Sequence, residues 1–297
     1  MSAPYHSGEL AVQEQAGGRQ MAQMVGRGIR PFLFDYVVYA LPEQNLFVAS
    51  VADDDGNLWA LPLAGENVFA RAVDAYTMAI DTPLNPNNPL HHALQPGRAI
   101  GLLGIVLQNR IRIRINGIIE SVTPEGITVH VQQAYGNCPK YIQKRRLIAV
   151  REAAPETITT FTHLSAEQQT WIAVADTFFV ATSHPDAGAD ASHRGGNPGF
   201  VQINGDTLTW PDYAGNMMFN TLGNIIANPN TGLLFIDFER DRVLQLTGQA
   251  EVLYDDPRQS DFAGAQRLVT FTVTAGRELT NTTGQLWSLD NLSHYNP

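Results

Sequence analysis

Two stretches of this 297-residue chain, Phe47-Val-Ala-Ser and Phe179-Val-Ala-Thr, open segments that match each other. In the first segment Gly101-Leu-Leu-Gly-Ile follows 54 positions after Phe47. In the second, Gly232-Leu-Leu-Phe-Ile follows 53 positions after Phe179. Because a repeat at nearly constant spacing reflects a repeated structural unit, the sequence predicts two similar units in tandem.

The agreement extends beyond these anchors, since Gly117 and Gly248 each follow sixteen positions later. The two copies differ in their loops. The second has His193-Arg-Gly-Gly-Asn-Pro-Gly and Pro211-Asp-Tyr-Ala-Gly-Asn, whereas the first has apolar stretches such as Leu61-Pro-Leu-Ala-Gly. We therefore expect a working site in the second copy and a degenerate scaffold in the first.

The amino-acid composition argues against a nucleic-acid-binding protein and against a membrane protein. With 44% apolar residues, the chain can bury two ordinary cores. A net charge of −10 argues against a nucleic-acid partner. The single cysteine, Cys138, fits a reducing compartment, and the apolar run 99–107 is too short to cross a bilayer. Because the polar start of the chain has no signal-peptide pattern, we expect a soluble, cytoplasmic protein without a membrane partner.

Short strands separated by turns dominate the pattern. Ile111-Arg-Ile-Arg-Ile alternates with period two, which places the isoleucines in a core and the arginines on the opposite face. Helices are predicted over Lys140–Leu147, from a capping box at Ser165, and from Met217. The predicted fold is mainly β: two tandem antiparallel split β-barrels with peripheral helices. The boundaries are a flexible segment 1–29, a first barrel 30–150, a linker 151–164 and a second barrel 165–297.

The loop after Pro211-Asp212 is suited to an anion. A helix predicted to start near Met217 offers unpaired N–H groups, and Gly215 lets a phosphate approach the backbone. Asn216 and Asn220 add side-chain donors. The alternative is that Gly215-Asn216 only turns the chain and that Asp212 or Asn216 caps the helix.

The glycine-rich run from His193 to Gly199 is predicted to be a loop that lets a backbone pass close to a ligand. Arg194 within it could hold phosphate oxygens. A plain surface loop would explain the run equally well. The cations from Lys140 to Arg151 are predicted to lie on a solvated helix face, with anion binding as the alternative.

Other site classes lack their motifs. There is no G-x-G-x-x-G after a strand, no P-loop and no G-x-S-x-G. His91 and His92 are adjacent rather than spaced as metal ligands, so no metal site is predicted. Cys138 precedes Lys140 at a predicted helix start, but no partner base is nearby, and a structural thiol is favoured.

These motifs resemble the pyridoxamine 5′-phosphate oxidase-related flavoproteins, which have the FMN-binding split β-barrel fold. The resemblance covers Ser165 to about Tyr254. The segment Gln133-Ala-Tyr-Gly-Asn-Cys-Pro-Lys-Tyr-Ile-Gln is similar to one in longer, two-barrel members. Its main motifs are His193-Arg-Gly-Gly-Asn-Pro-Gly-Phe-Val, Trp210-Pro-Asp-Tyr-Ala-Gly-Asn, Phe219-Asn-Thr-Leu-Gly-Asn and Asn228-Pro-Asn-Thr-Gly-Leu-Leu-Phe-Ile-Asp.

The resemblance implies that FMN lies between the two barrels, with its phosphate near Arg194, Asn216 and Met217. Phe200, Val201, Pro211 and Asp212 would line the isoalloxazine. The full implied set is Arg194, Gly199, Phe200, Val201, Pro211, Asp212, Gly215, Asn216, Met217, Asn220, Thr221 and Lys140. The oxidase itself has an Arg-Lys pair where this chain has Asn216-Met217, so Arg194 and Lys140 become the candidate phosphate ligands.

The resemblance implies an FMN-dependent oxidoreductase that passes hydride or electrons through flavin N5 to or from a small molecule. Two barrels in one chain would form an intramolecular pseudo-dimer, and further homodimerisation is left open. One alternative is a flavin or small-anion binding protein without turnover. A weaker one is a haem-binding barrel, which needs an axial ligand such as His184, His193 or the pair His91-His92.

Overall fold

The computed structural model describes residues 4–65, 68–151 and 155–297. No helix in these ranges is long and apolar enough to span a membrane. The elements up to residue 161 are α1 (Ser7–Gln15), α2 (Arg19–Gly26), α3 (Asp35–Ala40), β1 (Leu46–Ala52), β2 (Leu58–Ala64), β3 (Ala70–Ala72), β4 (Thr77–Asp81), β5 (Ala99–Val106), β6 (Ile111–Thr123), β7 (Gly126–Asn137), β8 (Lys144–Val150) and β9 (Thr157–Phe161).

The remaining elements belong mostly to a second sheet. Short 3-10 turns at Leu41–Glu43, Pro89–Ala93 and Pro257–Asp261 complete the structure. These later elements are α4 (Ala166–Val174), β10 (Thr177–His184), β11 (Gly188–Gly195), β12 (Gln202–Asn204), β13 (Thr207–Tyr213), α5 (Asn220–Ala227), β14 (Asn230–Asp237), β15 (Arg242–Leu253), β16 (Ala265–Thr280) and β17 (Gln285–Asn291).

The two large sheets have the same strand order. The first barrel runs β2-β1-β5-β6-β7-β4-β3, and the second runs β11-β10-β14-β15-β16-β13-β12. Neighbouring strands are antiparallel, and a bulge lies at Gly117 in β6 and at Gly248 in β15. The predicted fold class, mainly β with two tandem antiparallel split barrels, is confirmed.

The two glycines at corresponding positions of the matching sequence segments, Gly101 and Gly232, lie where the barrels contact each other. A Cβ on Gly101 of β5 would lie 2.5 Å from the Cα of Asp190 on β11. A Cβ on Gly232 of β14 would lie 2.7 Å from the carbonyl oxygen of Leu58 on β2. Each barrel therefore rests on the second strand of the other, at a distance that only glycine allows.

Three of the apolar clusters in the described residues fill the barrels and the space between them. One fills the first barrel, where Ile113 is buried as the alternation in β6 predicts. A second fills the other barrel around Trp210. A third lies between the barrels and joins Leu103 of β5 to Phe179 of β10 and Leu234 of β14. The barrels thus share a continuous apolar interface in addition to their own cores.

The helix predicted over Lys140–Leu147 is wrong. This segment leads into β8, which pairs with β17 near the C-terminal end. Tyr141 has φ 65, which a helix does not accommodate. The cations of this segment therefore do not lie on a helix face: Arg145 donates to buried Asp176 at 2.6 Å, whereas Arg146 is exposed. The pairing partner lies far along the chain, so local sequence does not show it.

The predicted linker 151–164 also contains a strand. β9 pairs with β16 of the second barrel, from Thr157 opposite Thr280 to Phe161 opposite Gly276. Residues 152–154 lie outside the described ranges. Part of the predicted linker therefore adds a strand to the sheet of the second barrel.

The N-terminal segment differs from the flexible segment expected over 1–29. Residues 4–29 contain α1 and α2, and residues 1–3 lie outside the described ranges. A capping box formed by His6 and Glu9 starts α1, and Val12 is buried in the core of the second barrel. A Cβ on Gly8 would lie 2.2 Å from the carbonyl oxygen of Gly223, so α1 lies directly on α5. Because this segment is rich in glycine and glutamine, its sequence did not indicate that it packs against the second barrel.

Candidate functional site

A cleft lies between the two barrels, formed by β6 and the end of β7 on one side and by β11, β13 and α5 on the other. It encloses about 120 Å³, or about 840 Å³ when its open mouth is included. The structure brings most of the predicted site residues together here: Lys140, Arg194, Phe200, Pro211, Asp212, Gly215, Asn216, Met217, Asn220 and Thr221. Their roles in binding a ligand stay predictions.

Two predicted residues do not line the cleft. Val201 is 2% exposed and belongs to the core of the second barrel. Gly199 has φ 94 and shapes the turn before β12. Phe200, between them, lines the cleft and also packs on Phe178, with ring centroids 5.7 Å apart. The chain therefore presents only the middle residue of this trio to a ligand.

The segment from His193 was predicted to be a loop, but β11 continues to Gly195. His193 pairs with Phe179 of β10, and Arg194 pairs with Phe178. A Cβ on Gly195 would lie 2.1 Å from the carbonyl oxygen of Tyr141, which explains a glycine inside a strand. The pairing holds His193 and Arg194 rigidly, whereas glycine content alone indicated a turn.

The helix predicted from Met217 begins instead at Asn220. Met217 and Phe219 both have left-handed φ values, 62 and 61, which exclude them from the helix. Asn216 accepts a hydrogen bond from the Met218 N–H at 3.1 Å, so it forms a local turn and does not cap α5. This outcome matches the turn-forming alternative for Asn216.

Positive charge is concentrated in the cleft. The described lining residues include four cations, Arg112, Arg114, Lys140 and Arg194, and one carboxylate, Asp212. The whole chain carries a net charge of −10, so this concentration is local. The arrangement suits an anionic group.

Asp212 restrains part of this charge. It is buried and accepts hydrogen bonds at 2.7 Å from Nη1 of Arg194 and at 2.7 Å from Nη1 of Arg267. The guanidinium of Arg194 is therefore partly occupied by Asp212 and is not wholly available to bind phosphate oxygens. Its Nε still has no hydrogen-bond partner among the described residues. The pairing fixes the arginine in place at the edge of the cleft.

The sequence analysis missed Arg112 and Arg114 of the first barrel. The Ile-Arg alternation correctly placed them opposite the core, but it did not show that the second barrel covers that face. Arg114 donates to Ser192 Oγ at 2.8 Å and to Asn220 Oδ1 at 3.1 Å, and its Nη1 lies 3.3 Å from Asp190 Oδ1. An arginine that alternates with core residues is thus a signal for an interface when two units are expected.

Arg112 lacks such a carboxylate. Within ranges 4–65, 68–151 and 155–297 it forms no ion pair; it donates to the Cys138 carbonyl, and its Nη1 lies 3.3 Å from His193 Nδ1. Burial, followed by the charge of Arg114, lowers the pKa of Arg112 to about 9. Burial and the neighbouring arginines hold the pKa of His193 well below its usual value, so its imidazole is neutral at pH 7.

Several buried nitrogens at the cleft lack a partner among the described residues. They are Nε of Arg112, Nε of Arg114, Nε2 of His193 and Nε of Arg194. Unsatisfied buried donors are costly, typically by about 1–3 kcal/mol each. A bound anion would supply acceptors and opposite charge at the same place, so the residues present fit a phosphate group.

Two tyrosines close one side of the mouth. Tyr141 donates its hydroxyl to the carbonyl of Ala214 at 2.9 Å, and its ring lies 5.2 Å from that of Tyr213. Tyr141 belongs to the segment after β7, so the first barrel contributes to this wall as well as to the floor. The cleft therefore needs both barrels.

Residues 164–280 match the family model described as Pyridoxamine 5'-phosphate oxidase. The second barrel is therefore related to that family, and the resemblance drawn from its motifs is confirmed. The match does not include the first barrel. Among curated proteins no match was found.

Several solved structures are similar to part of the chain. HupZ of Group A Streptococcus is 14% identical, with 37% of this chain and 90% of that chain covered and a TM-score of 0.31. A FAD-binding protein of Mesorhizobium loti is 14% identical, with 41% and 97% covered and a TM-score of 0.30. A FAD binding protein of Mycobacterium smegmatis is 17% identical, with 41% and 98% covered and a TM-score of 0.26.

Proposed function

We propose that this protein is an FMN-dependent oxidoreductase that holds its flavin in the cleft between the barrels. The observation that carries the proposal is the charge of Arg112, which has no carboxylate partner among the described residues, beside buried nitrogens of His193 and Arg194 that likewise have no partner there. The relation of residues 164–280 to the Pyridoxamine 5'-phosphate oxidase family supports a flavin as the anionic ligand.

In this proposal the first barrel supplies the charge that the Asn216-Met217 substitution removes from the second. Arg112 and Lys140 would hold the phosphate, with Nε of Arg194 as a further donor. The shared strand order of the two sheets supports the inference that one chain repeats a single unit and forms an intramolecular pseudo-dimer. A second chain would not be needed to complete the site.

FMN, when bound, supplies hydride or electron transfer through its N5 atom. The residues of this chain bind and orient it: Phe200 and Pro211 present apolar surface to the cleft, and the cations neutralise the phosphate. Neutral His193 offers a hydrogen bond without adding charge. We assign no side chain as a catalytic acid or base, and the substrate is a small molecule of unassigned structure.

A second candidate is a flavin or small-anion binding protein without turnover. The enclosed volume of about 120 Å³ favours it, because this space suits a phosphate group more readily than a flavin together with a substrate. The haem alternative gains no support. Of its candidate ligands only His193 lines the cleft, and that residue is 6% exposed with Nδ1 facing Arg112.

The first test is titration of FMN fluorescence with the purified protein and with Arg112→Gln. We expect the Kd to rise about 10- to 100-fold, since a charge-assisted hydrogen bond contributes about 1.5–3 kcal/mol. Arg71→Gln is the matched control, because Arg71 pairs with Asp81 on the exposed surface. Unchanged affinity in Arg112→Gln, or no binding at high micromolar FMN, would refute the site.

Gly215→Ala tests how closely the ligand approaches the backbone. A Cβ there would meet nothing nearer than the Tyr213 carbonyl oxygen at 3.9 Å, and the residue has no left-handed φ. The fold should therefore tolerate alanine, and any loss of FMN affinity would report contact with the ligand itself. Unaltered affinity would place the flavin away from this loop.

Turnover separates the enzyme from the binding protein. We expect the FMN-loaded protein to oxidise NADPH with oxygen over many cycles, and Arg112→Gln to need more FMN for the same rate. A protein that binds FMN tightly but shows no steady turnover with NADPH or other donors would favour the non-catalytic candidate.

A further inference from the structure

Glu9 on α1 is a buried carboxylate beside the cleft wall. It is 4% exposed, it accepts a hydrogen bond from the His6 N–H at 2.8 Å, and it accepts another from the side-chain amide of Asn220. The close contact of Gly8 with Gly223 holds α1 on α5. Glu9 is thus fixed against the helix that borders the cleft.

Asn220 links Glu9 to the charge in the cleft. Its Nδ2 donates to Glu9, while its Oδ1 accepts from Nη1 of Arg114 at 3.1 Å. Both Asn220 and Arg114 line the cleft. Glu9 is therefore one side chain removed from any anion bound there, and it shares the field of Arg114 with that anion.

We propose that binding of a phosphate-bearing ligand in the cleft is coupled to uptake of a proton by Glu9. The inference rests on the proposed function. A phosphate next to Arg112 and Arg114 would repel the Glu9 carboxylate and weaken its attraction to Arg114. Protonation of Glu9 relieves the repulsion and loosens its hold on the amide of Asn220, which then becomes available to the ligand.

The groups around Glu9 favour titration near neutral pH. Burial raises the pKa of Glu9 to about 7, and the charge of Asp190 on β11 adds to the rise. Three groups oppose it: the His6 N–H, the Asn220 amide and Arg114 on β6. Tyr135 on β7 stays neutral in this pH range because burial raises the pKa of its hydroxyl.

His6 does not replace Glu9 as the proton acceptor. Burial, followed by the neighbouring ring of His184, lowers the pKa of His6 to about 4, so His6 is neutral at pH 7. The two rings lie 4.1 Å apart, and Nε2 of His6 faces Asn224 Oδ1 at 2.8 Å. His6 therefore keeps the same charge around neutral pH, whereas burial brings the pKa of Glu9 into that range.

The direction of the coupling follows from linkage. A bound anion raises the pKa of Glu9, so the complex holds more protons than the free protein above pH 7. Affinity for FMN should then fall as pH rises from 7 towards 9, by about fivefold in total for a pKa shift of about one unit. The phosphate of FMN, with a second pKa near 6, is already mostly dianionic in this window.

The test is isothermal titration calorimetry of FMN at pH 7.5 in buffers of different ionisation enthalpy. We expect uptake of about 0.5 proton per FMN by the wild type, as a single carboxylate with a pKa shift of about one unit requires, and loss of this uptake in Glu9→Gln. Glu14→Gln is the matched control, since Glu14 lies on the same helix with an exposed side chain. Riboflavin, which lacks the phosphate, should bind without proton uptake.

Each outcome bears on the inference. Equal uptake in wild type and Glu9→Gln, or equal uptake with riboflavin, overturns it while leaving the flavin site intact. Absence of FMN binding by the wild type refutes the proposed function and this inference with it. Carbon-13 NMR of the Glu9 carboxyl in the wild type keeps the test independent of the variant's folding: FMN should raise the Glu9 pKa by about one unit, and an unchanged pKa contradicts the coupling.

Discussion

The two barrels contact each other through two equivalent pairs of strands, one at each end of the interface, and the two ends differ in charge. At one end Gly101 of β5 lies on β11, and at the other Gly232 of β14 lies on β2. Three residues before the bulge glycine, β6 carries Arg114 and β15 carries Gln245. Both side chains reach the second strand of the opposite barrel, but only one of them brings a charge.

The partners differ accordingly. Arg114 meets Asp190 and Ser192 on β11, whereas Gln245 donates to the carbonyl of Ala60 on β2 at 2.9 Å. Two residues earlier, Arg112 opens onto the cleft, and its counterpart Val243 is fully buried in the interface core. The same backbone arrangement therefore supports a cationic cleft at one end and apolar packing at the other, so side chains and not topology create the site.

Removing the positive charge of Arg114 should have the largest effect on the free energy of unfolding. Arg114→Met leaves Asp190 buried without its cation, and we expect the free energy of unfolding at pH 7 to fall by about 3–5 kcal/mol. Urea unfolding measures this loss. Burial already raises the pKa of Asp190, so the loss should shrink as pH falls and Asp190 takes up a proton. A loss that does not vary with pH would show that packing, rather than charge, distinguishes this end.

Glu9 should give the Arg114 end a pH dependence of stability. Its folded pKa of about 7 exceeds its ordinary value of 4.5, so the folded state binds more protons between these values. The contribution of Glu9 is complete below pH 4.5 and is lost as pH rises through 7, by about 3 kcal/mol at 1.36 kcal/mol per pKa unit.

Urea unfolding of wild type and Glu9→Gln from pH 4.5 to 8 checks this expectation. The glutamine variant should lose less stability across the window than the wild type, while Glu14→Gln should follow the wild type. Parallel curves for wild type and Glu9→Gln would mean that Glu9 is not held in the buried position next to Asn220.

The comparison also shows what the sequence could predict. The spacing of Gly101 and Gly232 indicated two units because a repeated contact demands the same residue twice. The alternation in Ile111-Arg-Ile-Arg-Ile identified a strand and its two faces, since period two is a property of the strand alone. The alternation is visible within one short stretch, and the spacing is visible when two stretches of the chain are compared. Both signals were therefore available from the sequence, and they were sufficient to predict two barrels.

The rest depends on contacts between distant segments. Nothing near Lys144 indicates that β8 pairs with β17, and the polar N-terminal segment does not reveal that Val12 enters the second barrel's core. The second barrel's side of the cleft carried recognisable motifs, whereas Arg112 and Arg114 stand in a strand whose covering partner the sequence does not specify.

The two anchoring glycines should have similar, intermediate effects. Gly101→Ala and Gly232→Ala place a Cβ 2.5 Å from Asp190 Cα and 2.7 Å from the Leu58 carbonyl oxygen. We expect each to reduce the free energy of unfolding by about 1–3 kcal/mol through overpacking. Gly215→Ala is the control, because its Cβ has room. If one anchor tolerates alanine and the other does not, the two ends are not packed equivalently.

Gln245→Met should have the smallest effect and so defines the neutral end of the comparison. The substitution removes the hydrogen bond to Ala60, which contributes about 0.5–1.5 kcal/mol. It also removes Oε1 of Gln245, a buried acceptor without a partner among the described residues, and this offsets part of the loss. We expect a change in unfolding free energy of less than about 1 kcal/mol and no change in FMN affinity. A loss as large as that of Arg114→Met would show that the polar contact itself, with or without charge, is what each end requires.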